Sequence, residues 1–142
     1  MMTNGAPTGI DALMAHFYAA FDNREGRMPQ ADDMCRLFIA GALITQFRQD
    51  GHIDSVSPED FVRPRIRMLT DGTLSSFHEW EDGATTQAWG RVASRHSRYA
   101  KQGLLNGRPY QGIGHKLFQL VETPMGWRIA SMSWIDDEST TG

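Results

Sequence analysis

His78 and Glu79 are the only neighbouring acid and base in a stretch of the sequence with strand character. An imidazole titrates near neutral pH, which makes His78 a candidate general base. Successive residues of a strand point to opposite faces of a sheet, so the two side chains cannot act together on one proton. His78 is therefore the candidate catalytic residue. The competing interpretation is a structural histidine held by hydrogen bonds.

Cationic and aromatic side chains alternate with other residues between positions 89 and 99. Trp89, Arg91, Arg95 and Tyr99 would share one face of a strand and could hold an anionic group of a ligand. The alternative is that the two arginines form ion pairs with nearby acids. Candidate acids for these ion pairs are Glu79, Glu81 and Asp136.

The five histidines are not expected to bind a metal ion. A turn at Asp82-Gly83 would place His78 about 23 Å from His96, at about 3.3 Å per residue along the strand. His96 and His115 could be neighbours across the next hairpin, but a catalytic zinc site often needs three protein ligands. No glycine-rich phosphate loop, nucleophile elbow or CxxC motif is present, so we expect no cofactor.

Apolar spacing and capping residues predict three helices before residue 73. The first would start at Thr8, where Asp11 completes the pattern of a capping box. Its apolar stripe consists of Ile10, Leu13, Met14, Phe17 and Phe21. A second, shorter helix follows, and the third would begin at Ser57-Pro58 and end at Asp71-Gly72. Pro64 predicts a kink or a break inside the third helix.

Strand patterns dominate the rest of the chain. The predicted strands are residues 42–48, 73–81, 86–101, 110–122 and 127–136. Asp82-Gly83, Asn106-Gly107 and Pro124-Met125 lie between the last four and are read as turns, the first two being strong hairpin signals. This order predicts an α+β fold in which about three helices pack on the concave face of a curved antiparallel sheet.

A two-residue turn at Pro124-Met125 would fix which side chains face the pocket. Phe118, Leu120, Trp127 and Ile129 then share the inner face at the turn end, and Lys116 and Ser133 share it at the far end. The opposite face would carry Leu117, Met132 and Trp134. An apolar patch of this size needs a partner, and a two-fold homodimer through this outer face is the expected one. A slip of one residue would exchange the two faces.

The sequence resembles the nuclear transport factor two-like superfamily over residues 8–137. The resemblance rests on the first helix, residues 10–22, and on Gly126-Trp127-Arg128-Ile129 at the entry to the last strand. Residues 76–81, 97–99 and 133–138 further resemble an uncharacterised bacterial subgroup. The resemblance implies a cone-shaped α+β fold with a pocket between the helices and the sheet. The expected pocket residues are Phe17, Tyr18, Trp89, Arg91, Arg95, Phe118 and Trp127.

The same superfamily includes ketosteroid isomerases, whose catalytic residues have no counterpart here. Their tyrosine position falls on Phe17, with Tyr18 one residue away. Their base position falls at residues 45–46 and their oxyanion-hole acid at residues 114–116, where the chain has no carboxyl group. The Asp-Arg-Asp triad of limonene epoxide hydrolases also has no match.

Composition sets the outer limits of function. The 142 residues fit one domain, expected at residues 8–137, with residues 1–7 and 138–142 as flexible termini. A net charge of −3 argues against nucleic-acid binding. The longest apolar run, residues 38–44, is far shorter than the roughly 20 residues of a membrane span. With no signal-peptide pattern at residue 1, we expect a cytoplasmic protein.

The expected function is that of a small-molecule-binding domain with an apolar pocket inside a curved sheet. One alternative is a lyase, isomerase or hydrolase that acts on a small hydrophobic cyclic substrate. The other is a protein-docking module. A filled interior without a cavity would favour docking, and a titrating histidine in the pocket would favour the enzyme.

Overall fold

Three helices and six strands make up residues 9–137, which are the residues that the computed structural model describes. The helices are α1 (Ile10–Ala19), α2 (Ala31–Cys35) and α3 (Pro58–Thr70). The strands are β1 (Phe38–Phe47), β2 (Ile53–Val56), β3 (Leu74–Trp89), β4 (Val92–Leu105), β5 (Arg108–Thr123) and β6 (Gly126–Asp136). No helix in these residues is both long and apolar enough to cross a membrane. The predicted flexible termini, residues 1–7 and 138–142, lie outside the described residues.

Helix α3 begins and ends where the sequence predicts. The Ser57 hydroxyl accepts a hydrogen bond from the Asp60 amide at 3.1 Å, and Pro58 occupies the first turn. Asp71 closes the helix and Gly72 follows with a φ of 90°, a conformation that glycine adopts without strain. The predicted break at Pro64 is wrong, because α3 runs through that residue without interruption.

Helix α1 begins two residues later than predicted. Gly9 occupies its N-cap position with a φ of 103°, and no side chain among residues 9–137 caps the helix. A Cβ atom at Gly9 would lie 3.0 Å from Cδ1 of Trp127, so a larger residue would collide with the indole. Thr8, the predicted cap, lies outside the described residues.

The sheet is curved, open and mixed, with the strand order β2-β1-β6-β5-β4-β3. All neighbours are antiparallel except β1 and β6, which run parallel. The α+β class with helices on one face is confirmed, whereas a wholly antiparallel sheet is wrong. Strand β2 was not predicted, because four mostly exposed residues leave no hydrophobic pattern.

The predicted hairpin at Asp82-Gly83 is wrong. β3 continues through these residues to Trp89, and the register against β4 shifts between Glu81 and Ala84. Gly83 has a φ of 114°, so the pair forms a β-bulge and not a turn. The chain turns instead at residues 90–91, where Gly90 also has a positive φ.

A second bulge, in β6, makes the register of the β5–β6 hairpin differ from the predicted one. Leu120 faces Ile129 as predicted, but Gln119 faces Ser131, so Ala130 is an extra residue in β6. From this point toward the end of β6 every side chain changes face relative to the prediction. Met132 therefore pairs with Phe118 on the inner face of the sheet.

Aromatic side chains fill the space between α1, α3 and the inner face. Phe17 of α1 lies edge-on to Phe118, with ring centroids 5.3 Å apart. Phe61 of α3 lies edge-on to Trp134 at 5.5 Å. The helices thus cover the inner face near the β5–β6 turn densely, and leave space near the other end of β6.

Candidate functional site

A cavity of about 260 Å³ lies between α3 and the inner face of the sheet. Its apolar wall is largely aromatic and contains Phe21, Phe61, Phe77, Tyr110 and Trp134. Its polar lining contains Gln46, Arg65, Glu79, Tyr99, Lys101, Lys116 and Asp136. The polar side chains come from α3 and five different strands, so only the folded chain brings them together.

Lys116 of β5 is enclosed in this wall. Its side chain is 6% exposed, and its Nζ lies 3.2 Å from Oε2 of Glu79 and 3.4 Å from the centroid of the Tyr99 ring. Burial lowers the pKa of Lys116 to about 8, although the charge of Glu79 acts in the opposite direction. This amine is therefore much closer to losing its proton at neutral pH than an ordinary lysine.

Asp136 of β6 lies on the other side of Tyr99. The Tyr99 hydroxyl donates to Oδ1 of Asp136, and Nζ of Lys101 lies 3.3 Å from Oδ2. Burial and the nearby Glu79 raise the pKa of Asp136 to about 6. Gly114, opposite Tyr99 across the β4–β5 ladder, makes this contact possible, because a Cβ there would overlap the tyrosine hydroxyl.

Arg65 of α3 brings a further positive charge to the cavity. Its guanidinium stacks over the Phe61 ring at 4.0 Å and donates to the carbonyl oxygen of that residue. In residues 9–137 no carboxylate approaches it within 4.0 Å. Burial lowers its pKa. With two lysines and two carboxylates beside it, the lining carries one excess positive charge.

Arg95, predicted to bind an anionic ligand, lies instead in a separate buried network. It is 7% exposed and bonds to both carboxylate oxygens of Glu81 and, at 2.8 Å, to Asp11 of α1. Ser97 continues the network, donating to Glu81 at 2.6 Å and bonding to the Tyr18 hydroxyl at 2.7 Å. The ion pair of Arg95 with Glu81, the alternative interpretation of this arginine, is confirmed.

None of the seven predicted pocket residues lines this cavity, although Tyr18 and Arg95 line the open groove that His78 faces. Phe17, Phe118 and Trp127 are packed in the core, and the pKa of the buried Tyr18 is raised by burial. Trp89 and Arg91 lie at the β3–β4 turn, and both are exposed. They were placed on one strand with Arg95 because the bulge at residues 82–83 was taken for a turn.

His78, the predicted general base, lies outside this cavity. It faces an open groove beside α1, and its ring stacks on Trp80 with centroids 4.6 Å apart. Burial and the nearby Arg24 lower the pKa of His78. His96 and His115 do meet across β4 and β5, with ring nitrogens 2.8 Å apart. Within the described part of the chain, no three His, Cys, Asp or Glu side chains are grouped to hold a metal ion.

The outer face also differs from the prediction. Leu117 is 56% exposed as expected, but Met132 is 1% exposed and packs in the core, and Trp134 lines the cavity. The bulge at Ala130 accounts for both differences, because it turns the second half of β6 around. Ile113 and Ile135 are among the large, exposed apolar residues that join Leu117 on this face.

One signal in the sequence pointed to the cavity and was missed. Of the 14 lysine and arginine residues, only Lys101 and Lys116 are lysines, and both line the cavity. In the sequence, Glu79 is the neighbour of the candidate base His78 and a candidate ion-pair partner of Arg91 or Arg95. Asp136 was considered only as a possible partner of an arginine. Their roles depend on burial, which the sequence does not display.

Comparison with known structures identifies the fold. The chain is similar to a protein of unknown function with a cystatin-like fold from Nostoc punctiforme (TM-score 0.69, 16% identity, 94% of this chain and 92% of that one). It is similar to a nuclear transport factor 2-like superfamily protein from Salmonella enterica serovar Typhimurium (TM-score 0.71, 14% identity, 92% and 90%). A third similar structure, from Novosphingobium aromaticivorans, is described as a candidate aromatic ring hydroxylase (TM-score 0.73, 14% identity, 95% and 94%).

These likenesses show that the chain has the nuclear transport factor 2-like, or cystatin-like, fold, as its sequence resemblance implied. No family model and no curated protein matches the chain. At this level of identity the comparisons establish the architecture, and the chemistry has to be argued from the cavity itself.

Proposed function

We propose that this protein binds a small aromatic or cyclic molecule that carries an anionic group. The observation that supports this most strongly is Arg65, a guanidinium in the wall of an aromatic cavity with no carboxylate partner among residues 9–137. A partly buried charge without an ionic partner is costly, so a ligand anion that pairs with it would gain affinity. The aromatic wall would hold the apolar part of the ligand.

The size of the cavity limits the ligand further. At about 260 Å³ it is near the lower end of ligand pockets, which span about 300–1,000 Å³. A single ring with a short substituent fits this space better than a fused polycyclic ligand. The structural relative described as a candidate aromatic ring hydroxylase agrees with a ring-binding pocket.

Benzoate and benzyl alcohol provide the test, because they share a ring and differ in charge. Binding can be followed by isothermal titration calorimetry, and by native mass spectrometry, which also detects a molecule that copurifies. We expect benzoate to bind more tightly than the alcohol, and Arg65→Gln to remove the difference. Arg63→Gln is the matched control, since Arg63 is exposed on the same helix. Equal affinity for the two probes would argue against an anionic ligand.

Acid–base catalysis in the same cavity is the second candidate function. A carboxyl group with a pKa near 6 that accepts a hydrogen bond from Tyr99 suits a general base, and Asp136 replaces His78 in that role. The test is exchange of the α-protons of cyclohexanone in heavy water, followed by NMR. Exchange that is catalysed by the protein and lost in Asp136→Asn would support the enzyme. The same rate with and without protein would oppose it.

A homodimer through the outer face remains our proposal for the assembly, with a corrected surface. The exposed apolar residues Ile113, Leu117 and Ile135 now define that face, and Met132 and Trp134 are removed from it. Native mass spectrometry at micromolar concentration measures the assembly directly. The cavity makes a pure docking module the weaker alternative, and a cytoplasmic location stays a prediction from the sequence.

A further inference from the structure

The two lysines of the chain stand out because arginine serves as the cation everywhere else. Lys101 and Lys116 both line the cavity, while the other 12 of the 14 basic residues are arginines. A guanidinium stays protonated in proteins, whereas a buried ammonium can lose its proton and become a nucleophile. A requirement for positive charge alone would not explain why lysine occurs only here.

Lys116 has the surroundings that activate an amine. It is almost fully buried and lies between the carboxylate of Glu79 and the face of the Tyr99 ring. Lys101 and Arg65 are the cations near it, and both oppose a further positive charge. Because the pKa of Lys116 is about 8, about a tenth of this amine is neutral at pH 7, against about one part in three thousand for an ordinary lysine.

We propose that Lys116 forms an imine with the carbonyl group of a small aromatic or cyclic aldehyde or ketone held in the cavity. The inference rests on the proposed function, because it needs a cavity that a ring can enter. It goes further, since it makes the carbonyl compound the chemical class of the ligand and the amine of Lys116 its point of covalent attachment.

The residues around Lys116 supply the proton transfers. Glu79, 3.2 Å from Nζ, can accept the proton that the ammonium releases. The neutral amine then forms a bond to the carbonyl carbon, and one of its two protons moves to the carbonyl oxygen, which becomes the hydroxyl of a carbinolamine. The carbon–oxygen bond breaks as Glu79 returns the proton, and water leaves. One ammonium and one carbonyl compound therefore give one iminium and one water, with no change in net charge. The iminium keeps the ion pair with Glu79.

Reductive trapping tests this step on the intact protein. Benzaldehyde would form the imine, and hydride from sodium cyanoborohydride reduces it to a stable benzylamine, which peptide mass spectrometry can place on the sequence. Only Lys101, Lys116 and the terminal amine can react. We expect Lys116 to be benzylated at least about tenfold faster than Lys101, because its buried amine loses a proton far more readily than the amine of an ordinary lysine. Benzylation of Lys101 or the terminal amine without benzylation of Lys116 would overturn the proposal.

Two variants test whether Lys116 acts as a nucleophilic amine or only as a positive charge. Lys116→Arg keeps the cation but cannot form an imine, so trapping at this site must disappear. Arg63→Gln, at an exposed residue of α3 outside the cavity lining, is the control and must leave trapping at Lys116 unchanged. Circular dichroism checks that each variant folds. If Lys116→Arg does not fold, the peptide map of the protein with its natural sequence still decides the question. That map shows directly which amine carries the benzyl group.

The benzoate titration distinguishes failure of the imine proposal from failure of the proposed ligand-binding function. Benzoate binding without benzylation of Lys116 would overturn the imine and keep the anion-binding pocket. Benzylation of Lys116 without benzoate binding would support the imine and count against an anionic ligand. If neither is observed, both proposals are wrong.

Discussion

Asp136→Asn should stabilise the protein at neutral pH, and this is the sharpest test of the described cavity. The substitution preserves the size of the side chain and an oxygen that accepts the Tyr99 hydrogen bond. It removes a carboxylate that is only 31% exposed and lies near a second one, Glu79. A carboxyl group is held in these surroundings at a cost to folding, as is common for groups retained for function.

The size and sign of the effect follow from the pKa of Asp136. It is about 6 in the folded protein and 3.8 in the reference state, so the folded protein binds the proton more tightly. Stability is therefore lost as pH rises from 3.8 through 6, and the loss is nearly constant above about pH 7. It amounts to about 3 kcal/mol at pH 7 and about half of that at pH 5. Because solvent screens the exposed third of the side chain, these losses of stability are upper limits.

Urea unfolding of the two proteins between pH 5 and pH 8 measures this difference. The gain from Asp136→Asn should grow from pH 5 to pH 7 and then remain constant. Asp137→Asn is the matched control, because the neighbouring Asp137 is 43% exposed and its contact with His115 is long, at 3.8 Å. A variant that is less stable than the parent protein at pH 8 would refute the reasoning, since the ion pair of Asp136 with Lys101 would then outweigh burial.

Two further predictions test the buried network and the corrected register. Glu81→Gln should lower the free energy of unfolding by about 2–4 kcal/mol, because it leaves the Arg95 guanidinium buried without its main partner. The double variant with Arg95→Met should lose less free energy of unfolding, measured by urea titration, than the sum of the losses in the two single variants. Met132→Ala should cost about 2–5 kcal/mol, whereas Leu117→Ala should cost under about 1 kcal/mol in the monomer, measured by urea unfolding at low protein concentration. Equal losses of stability in Met132→Ala and Leu117→Ala would instead support the register predicted from the sequence.

Local features of the fold could be read from the sequence because they depend on residues close together in the chain. The serine cap of α3 and its stop at Asp71-Gly72 are set by neighbouring backbone groups, and both predictions are confirmed. The order of helices followed by strands identified the α+β class in the same way. The scarcity of lysine was equally visible, and it marked the two residues that meet in the cavity.

Only the tertiary structure decided which side chains meet there. Bulges at residues 82–83 and at Ala130 are set by the strand on the other side of the ladder, and each one turns the following residues to the opposite face. Trp134 and Asp136 reach the cavity for this reason. The pKa values of Asp136 and Lys116 depend on desolvation by α3 and the sheet, which exists only after these distant elements have packed together.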